Sequence, residues 1–294
     1  MADIRKKLDG NTDGLFFVDN TCIDCDTCRQ LDPENFTEDE NNFAIVYNQP
    51  HSDNEIRAAT RSLLACPTGS IGTIEKIDTH SVMDDFPLLV DGEIFYNGFT
   101  SKYSFGASSY FIRHPDGNWM IDSPKYMPNL VKRFEAMGGV SHIFLTHQDD
   151  VADAERYAKH FDAKRIIHRH ELHSQPRAEI VLEGEEPRSF GKDFLIIPTP
   201  GHTRGHCVML YKNHYLFSGD HMWWSRKRNM LWAGRDVTWY SWEEEICSMQ
   251  KLTAYEFDWV IPGHGGRIHL EKHLMKEQLY NLIHSMEMSG ETFY

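Results

Sequence analysis

The sequence predicts an α+β protein in two parts, a small N-terminal domain over residues 1–80 and a larger mixed domain over residues 81–294. Three observations lead there. Four of the six cysteines fall between positions 22 and 66. From about Phe86 onward, apolar runs of strand length alternate with runs at helical spacing, without an internal repeat or a long linker. Four of those strand-like runs, at 143–145, 194–197, 215–217 and 259–261, end in turns that offer histidine or aspartate. Side chains just past a strand end face a crevice, so four such turns suggest one shared metal.

Composition narrows the class. A chain of 294 residues that is 40% hydrophobic is long enough for one large globular domain and a small one. No stretch approaches the roughly 18 apolar residues needed to span a bilayer, and the N-terminal charges are followed by no apolar core. A cytoplasmic protein without membrane partners is therefore expected. The formal charge of −14 argues against nucleic acid, whose binders need a basic face. Residues 1–80 hold 15 acids and 7 bases, net −8, so over half of the excess lies on about a quarter of the chain. That is a solvated acidic surface or a docking face for a basic redox partner protein. Fifteen of the seventeen histidines lie after residue 80, which suits a metal domain or, more plainly, a histidine-rich surface.

In the first part, Cys22, Cys25 and Cys28 are spaced Cys-x-x-Cys-x-x-Cys, and Cys66 is followed by Pro67. Three thiolates two residues apart can hold three corners of a cubane cluster, and a distant fourth closes it. A structural zinc is the competing reading, but it favours two separated pairs. Disulfides are not expected in a reducing compartment. Between the cysteines, Asp53 is placed to cap a helix whose Ile56, Ala59, Leu63 and Leu64 pack inward. Residues 12–76 resemble a bacterial-type ferredoxin with a single [4Fe-4S] cluster, through Phe16-Phe17-Val18-Asp19, the cysteine spacing and Cys66-Pro67-Thr68-Gly69. In two-cluster relatives a further cysteine lies four residues after the third. Here that position is Asp32, as a one-cluster domain requires.

In the second part, the strand-like runs at 109–112 and 119–122 flank Pro115-Asp116-Gly117-Asn118, a hairpin signal. Met127, Leu130, Val131, Phe134 and Met137 mark a helix ending at Gly138-Gly139. After Thr146-His147-Gln148-Asp149-Asp150, the residues Val151, Ala154, Tyr157, Ala158 and Phe161 fall at helical spacing. The three later turns are Gly201-His202, Gly219-Asp220 and Gly263-His264. The order of these pieces, over residues 86–285, resembles the metallo-β-lactamase fold, an αββα sandwich of two packed sheets with helices outside. The whole chain then reads as a ferredoxin-like domain followed by a metallo-β-lactamase-like one. That resemblance implies metal ligands at His147, His202 and His264, with Asp220 as the carboxylate that bridges metals in dinuclear members. The family's first loop runs Thr-His-x-His-x-Asp-His. Here Asp149 stands at the second histidine position, followed by Asp150, Val151 and Ala152, so aspartate replaces imidazole.

Three imidazoles with up to three carboxylates suit one or two zinc ions, or non-haem iron or manganese. Asp150 is either a ligand or the N-cap of the next helix, with Asp153 at its third position. His206 and His221 support the ligands or lie on the surface. His168, His170 and His173 either overhang the crevice or sit on an exposed loop. Cys207 and Cys247 are expected to be plain buried thiols. Trp223, Trp224, Trp232, Trp239 and Trp242, interleaved with Arg226, Lys227, Arg228 and Arg235, form either core or a wall over the site that binds an apolar or anionic small-molecule substrate. The leading functional expectation is a redox enzyme in which the cluster exchanges electrons with the His/Asp metal site. A zinc-dependent hydrolase of ester or thioester substrates, with a structural or redox-sensing cluster, is the alternative, and a non-catalytic electron carrier is the third.

Overall fold

The computed structural model describes residues 2–290. By internal contacts the chain forms two compact units, residues 1–143 with 152–163, and residues 144–151 with 164–294.

In the first unit, the strand Phe16–Val18 pairs antiparallel with Ile71–Thr73, and Phe36–Glu38 pairs with Ala44–Val46. The short strand at 16–18 needs further partners, because a buried backbone group without one is costly. Two buried amides supply them. Asn11 Oδ1 accepts from the Val18 and Val46 amides, and Gln49 Oε1 accepts from the Phe16 amide while its Nε2 donates to the Phe16 carbonyl. Phe16, Val18, Phe36, Val46, Ala59 and Ile71 form the core around Cys28.

The helix Asp53–Ala65 starts one residue earlier than expected. Ser52 is its N-cap, in a reciprocal capping box with Glu55, and Asp53 is its first residue. Serine reaches the Glu55 amide while Glu55 reaches back, a pairing Asp53 has no third residue to make. A short helix at His80–Met83 follows, and Asp85 binds Arg57 and Arg61 of the longer helix.

Strands Leu88–Asp91, Ile94–Tyr96, Tyr110–Ile112 and Trp119–Ile121 then form an antiparallel meander. The last two are the expected hairpin. The helix Pro128–Ala136 lays Phe134 on Phe111, ring centroids 4.9 Å apart. The helix Ala154–Phe161 belongs to this unit and buries Tyr157, whose hydroxyl donates to the Lys125 carbonyl. It begins three residues later than the apolar spacing from Val151 implies. Its N-cap position is Asp153, whose carboxylate instead accepts the Tyr126 amide.

The second unit holds a six-stranded sheet in the order Arg188–Phe190, Phe194–Pro198, Cys207–Tyr211, Tyr215–Gly219, Trp259–Pro262, Ile268–His269. The Tyr215–Gly219 and Trp259–Pro262 pair is parallel, with a register shift between Phe217 and Gly219. Parallel neighbours end at the same edge, so the turns carrying Asp220 and His264 emerge side by side. Ile197, Val208, Leu210, Leu216 and Val260 pack with the helices Trp242–Leu252 and Lys272–Gly290 through Met249, Leu252, Leu279 and Leu282. A parallel pair, Lys164–His168 with Ile180–Leu182, and a hairpin, Trp223–Ser225 with Met230–Trp232, complete the unit. Among the described residues no helix is long and apolar enough to cross a membrane.

Candidate iron-sulfur and metal sites

The loop of 22–28 turns tightly because Asp24 and Asp26 adopt positive φ angles of 58° and 64°. Arg29 holds it there, pairing with Asp24, Asp26 and Glu38. Cys28 lies in the first turn of the helix Thr27–Leu31, and Cys66 directly follows the helix Asp53–Ala65. The thiols are close enough to repel one another as thiolates, and burial pushes those of Cys22, Cys25 and Cys28 up. Cys25 rises to about 11 and Cys28 well above the ordinary thiol value, burial being the first cause and the neighbouring cysteines adding to it. The Ser70 amide donates to Cys66 Sγ at 3.3 Å. Four thiols within electrostatic reach of one another, one of them accepting a backbone amide, form a donor set that suits an iron-sulfur cluster.

In the second unit, four strand-end turns meet. The Cys207 amide bonds the Thr146 carbonyl and the Gly263 amide bonds the Gly219 carbonyl, both at 2.9 Å, which ties the turns in pairs. His147 Nε2 lies 3.8 Å from Asp149 and 3.7 Å from Asp220. His202 Nε2 lies 3.9 and 3.8 Å from the same two carboxylates. These separations are too long for hydrogen bonds. They approach the roughly 3.4 Å edge of a tetrahedron of ligands each about 2.1 Å from a shared ion. The two rings stand at 88°, centroids 4.8 Å apart. His147 Nε2 and both His202 ring nitrogens are buried without a hydrogen-bond partner. His264 Nδ1 lies 2.8 Å from Asp220 Oδ1.

His147, Asp150 and Asp220 form a second set of mutually close ligand atoms beside His147, Asp149 and His202. Gly263 makes room for it, since a side chain there would meet the oxygens of both Asp220 and Asp150 below 3 Å. Burial drives the His147 imidazole down to about 3 against the pull of Asp220. Burial also opposes ionisation of Asp220, but His264, His147 and His202 overcome it and hold the carboxyl well below its usual range. An imidazole kept neutral by burial at His147, beside a carboxylate that stays ionised, suits uptake of a cation.

Comparison with known proteins bears on both parts of the chain. Residues 18–73 match the family described as the 4Fe-4S single cluster domain of Ferredoxin I. The larger part resembles solved metallo-β-lactamases. DIM-1 is 16% identical, with a TM-score of 0.52 over 67% of this chain and 95% of that one. The enzyme from Pontibacter korlensis is 13% identical, with a TM-score of 0.53 over 68% of this chain and 97% of that one.

The chain joins a single-cluster ferredoxin domain to a metallo-β-lactamase fold. Within it, 114 residues are 34% identical to the hydroxyacylglutathione hydrolase of Salmonella typhi, covering 38% of this chain and 45% of that protein. A counterpart from Salmonella paratyphi C is 35% identical over 80 residues, 26% of this chain and 32% of that one. The chain thus spans less than half the length of these curated relatives.

Several residues around the His/Asp site leave no trace in the pattern of the sequence. Glu171, 1% exposed, accepts the Gln148 amide at 3.2 Å and the Gly205 amide, joining two ligand-bearing turns. Thr146 and Thr199 hydroxyls meet Nδ1 of His147 and His206, each at 3.0 Å, and so orient the rings. A Thr-His dipeptide is the only local hint of the first. His206 and His221 are both fully buried and stack 5.4 Å apart, which excludes the surface alternative.

Other expectations change. Asp150 is buried four residues before the helix Ala154–Phe161, so it does not cap it. His168 is buried, bonded to the Gly184 carbonyl, while His170 and His173 are exposed. Cys207 is buried, but Cys247 is exposed on the outer side of its helix. The aromatic segment divides. Trp242 enters the core, Trp223 packs where a side chain on Gly265 would stand, and Trp239 is 66% exposed with its ring 6.3 Å from that of His202.

Proposed function

We propose that this chain is a metal-dependent hydrolase of a small-molecule ester or thioester, with a [4Fe-4S] cluster held by Cys22, Cys25, Cys28 and Cys66. In this reading His147, Asp149, Asp150, His202, Asp220 and His264 hold one or two metal ions. The carrying observation is the pair of buried imidazoles, His147 and His202, whose partnerless Nε2 atoms face the same two carboxylates. The stretch of identity to hydroxyacylglutathione hydrolases supports hydrolysis of a thioester in particular. A bound divalent metal supplies Lewis acidity and an activated water.

The chain's own groups do the rest. Asp149, its side chain 47% exposed, stands on the solvent side, where it orients the incoming water. Thr146 fixes the ring of His147. Trp239 and Tyr240 donate their backbone amides to the His202 carbonyl at 2.8 and 3.1 Å, which sets an exposed aromatic edge beside the ligand turn. The Arg204 guanidinium lies 6.0 Å from the Tyr240 ring. An aromatic edge with an exposed cation suits a substrate that carries an anionic group.

A redox reading rests on a different feature, the aspartates at 149 and 150, because an oxygen-rich set suits iron or manganese better than zinc. Elemental analysis of anaerobically purified protein separates the two, with His202→Ala beside it and acyl thioesters as substrates. The hydrolase reading expects metal beyond the cluster's own iron, and thioester turnover, both lost in His202→Ala. Turnover that survives the substitution would overturn it. Excess iron without turnover would favour the redox reading.

A further inference from the structure

Residues 99–107 lie outside the matched ferredoxin segment, yet they close over its cysteines. Thr100 donates from its hydroxyl to the Ala65 carbonyl at 2.7 Å, one residue before Cys66. Its amide reaches the same carbonyl at 3.3 Å. At the other end, Thr27 Oγ1 donates to the Gly106 carbonyl at 3.1 Å, and the Cys25 thiol lies 3.4 Å from that same hydroxyl. Between these anchors the segment is a closed turn. The Gly106 amide bonds the Ser101 carbonyl and the Ala107 amide bonds the Ser104 carbonyl, both at 2.8 Å. Ser101, Ser104 and Ala107 are buried, while Tyr103 and Phe105 face outward.

Gly106 is the point of contact. Its φ of +86° is one that side chains disfavour. A β-carbon there would sit 2.5 Å from Cys25 Cβ, 2.8 Å from Cys25 Sγ and 3.2 Å from Pro67. The backbone of this turn therefore occupies the space against the Cys25 sulfur that water would otherwise reach.

We infer that residues 99–107 form the outer wall of the iron-sulfur site, with Gly106 and Thr27 as its positioning residues. Gly106 seats Cys25 and excludes solvent from its sulfur. Thr27 has one hydroxyl proton. Once Cys25 is a thiolate it no longer donates to that hydroxyl, and its sulfur competes with the Gly106 carbonyl for the one proton, which then either anchors the wall or donates to a cluster ligand. Hydrogen bonds to sulfur and exclusion of solvent are two terms that set a cluster's potential. The stability of the cluster thus depends on a segment that the ferredoxin domain does not contain.

The test uses full-length protein purified without air, as wild type, Gly106→Val, Thr27→Val and Thr27→Ser. Three quantities are read: iron and sulfide content, the rate at which the visible absorbance bleaches in air, and the midpoint potential followed by electron paramagnetic resonance. Gly106→Val is expected to bleach several-fold faster than wild type or to lose the cluster, with the circular dichroism of the fold kept. Thr27→Val is expected to lower the potential, since a donor to sulfur is gone, and Thr27→Ser to restore it. Wild-type bleaching in Gly106→Val together with a wild-type potential in Thr27→Val would overturn the inference. Should Gly106→Val not fold, the Thr27 pair decides alone, because a hydroxyl that only packed would leave the potential unmoved.

Discussion

Replacing Glu171 by alanine removes a carboxylate that ties the turn of His147 to that of His202. Its two oxygens accept the amides of Gln148, between His147 and Asp149, and of Gly205, three residues after His202. Hydrogen bonds to a charged group contribute about 1.5–3 kcal/mol each, so the pair is worth about 3–6 kcal/mol if both amides stay buried. Relaxation toward water lowers that figure. What remains is misplacement of His147 and His202, and loss of such a supporting group typically costs about 10–100-fold in metal affinity, or about 1.4–2.7 kcal/mol. Glu171→Gln is expected to fall between, because one of its two positions becomes a donor facing a donor. Chelator competition measures the affinity, and thermal melts with and without metal separate affinity from fold stability. If Glu171→Ala bound metal within twofold of wild type and melted at the same temperature, other contacts would be holding the turns.

Two further outcomes are expected. Burial works against ionisation of Asp85, but hydrogen bonds from Arg57 and Arg61 overcome it and hold its carboxyl below the ordinary value. A depressed carboxyl stabilises above its unfolded pKa of about 3.9 and loses that contribution as pH falls through the folded value. Asp85→Asn should therefore speed amide exchange across the helix Asp53–Ala65 modestly at pH near neutral, and the difference from wild type should close at lower pH; a difference independent of pH would refute the ion-pair account. Trp239→Leu should raise KM for an acyl thioester several-fold while leaving kcat and metal content near wild type. Loss of metal instead would mean that the indole supports His202 rather than the substrate.

The hairpin around Pro115–Asn118 forms as its residues imply, because short-range spacing decides what the backbone can do. The turns at His147, His202, Asp220 and His264 were located by the same kind of local pattern. Their convergence in the second unit follows because the two parallel strands before Asp220 and His264 end at one edge. The start of the helix at Ala154 was illegible in the same terms. Val151 fits the apolar spacing, but the chain at 151–153 is drawn into turns, with Ala152 at a positive φ of 31° and the Asp153 carboxylate on the Tyr126 amide.

By itself, the sequence determined which side chains are offered at the two candidate sites, thiols in the first part and imidazole with carboxylate in the second, because donor type is a property of side chains. The alternation of strand and helix was also legible, since those periods are written locally, and the two folds followed from resemblance to known families. Only the tertiary structure decided that Asp150 is buried beside Asp220, that Glu171 joins two turns, and that Gly106 stands against Cys25. Each of these is a contact between residues 23 to 81 positions apart or set by packing on all sides, and such contacts leave no period in a chain to read.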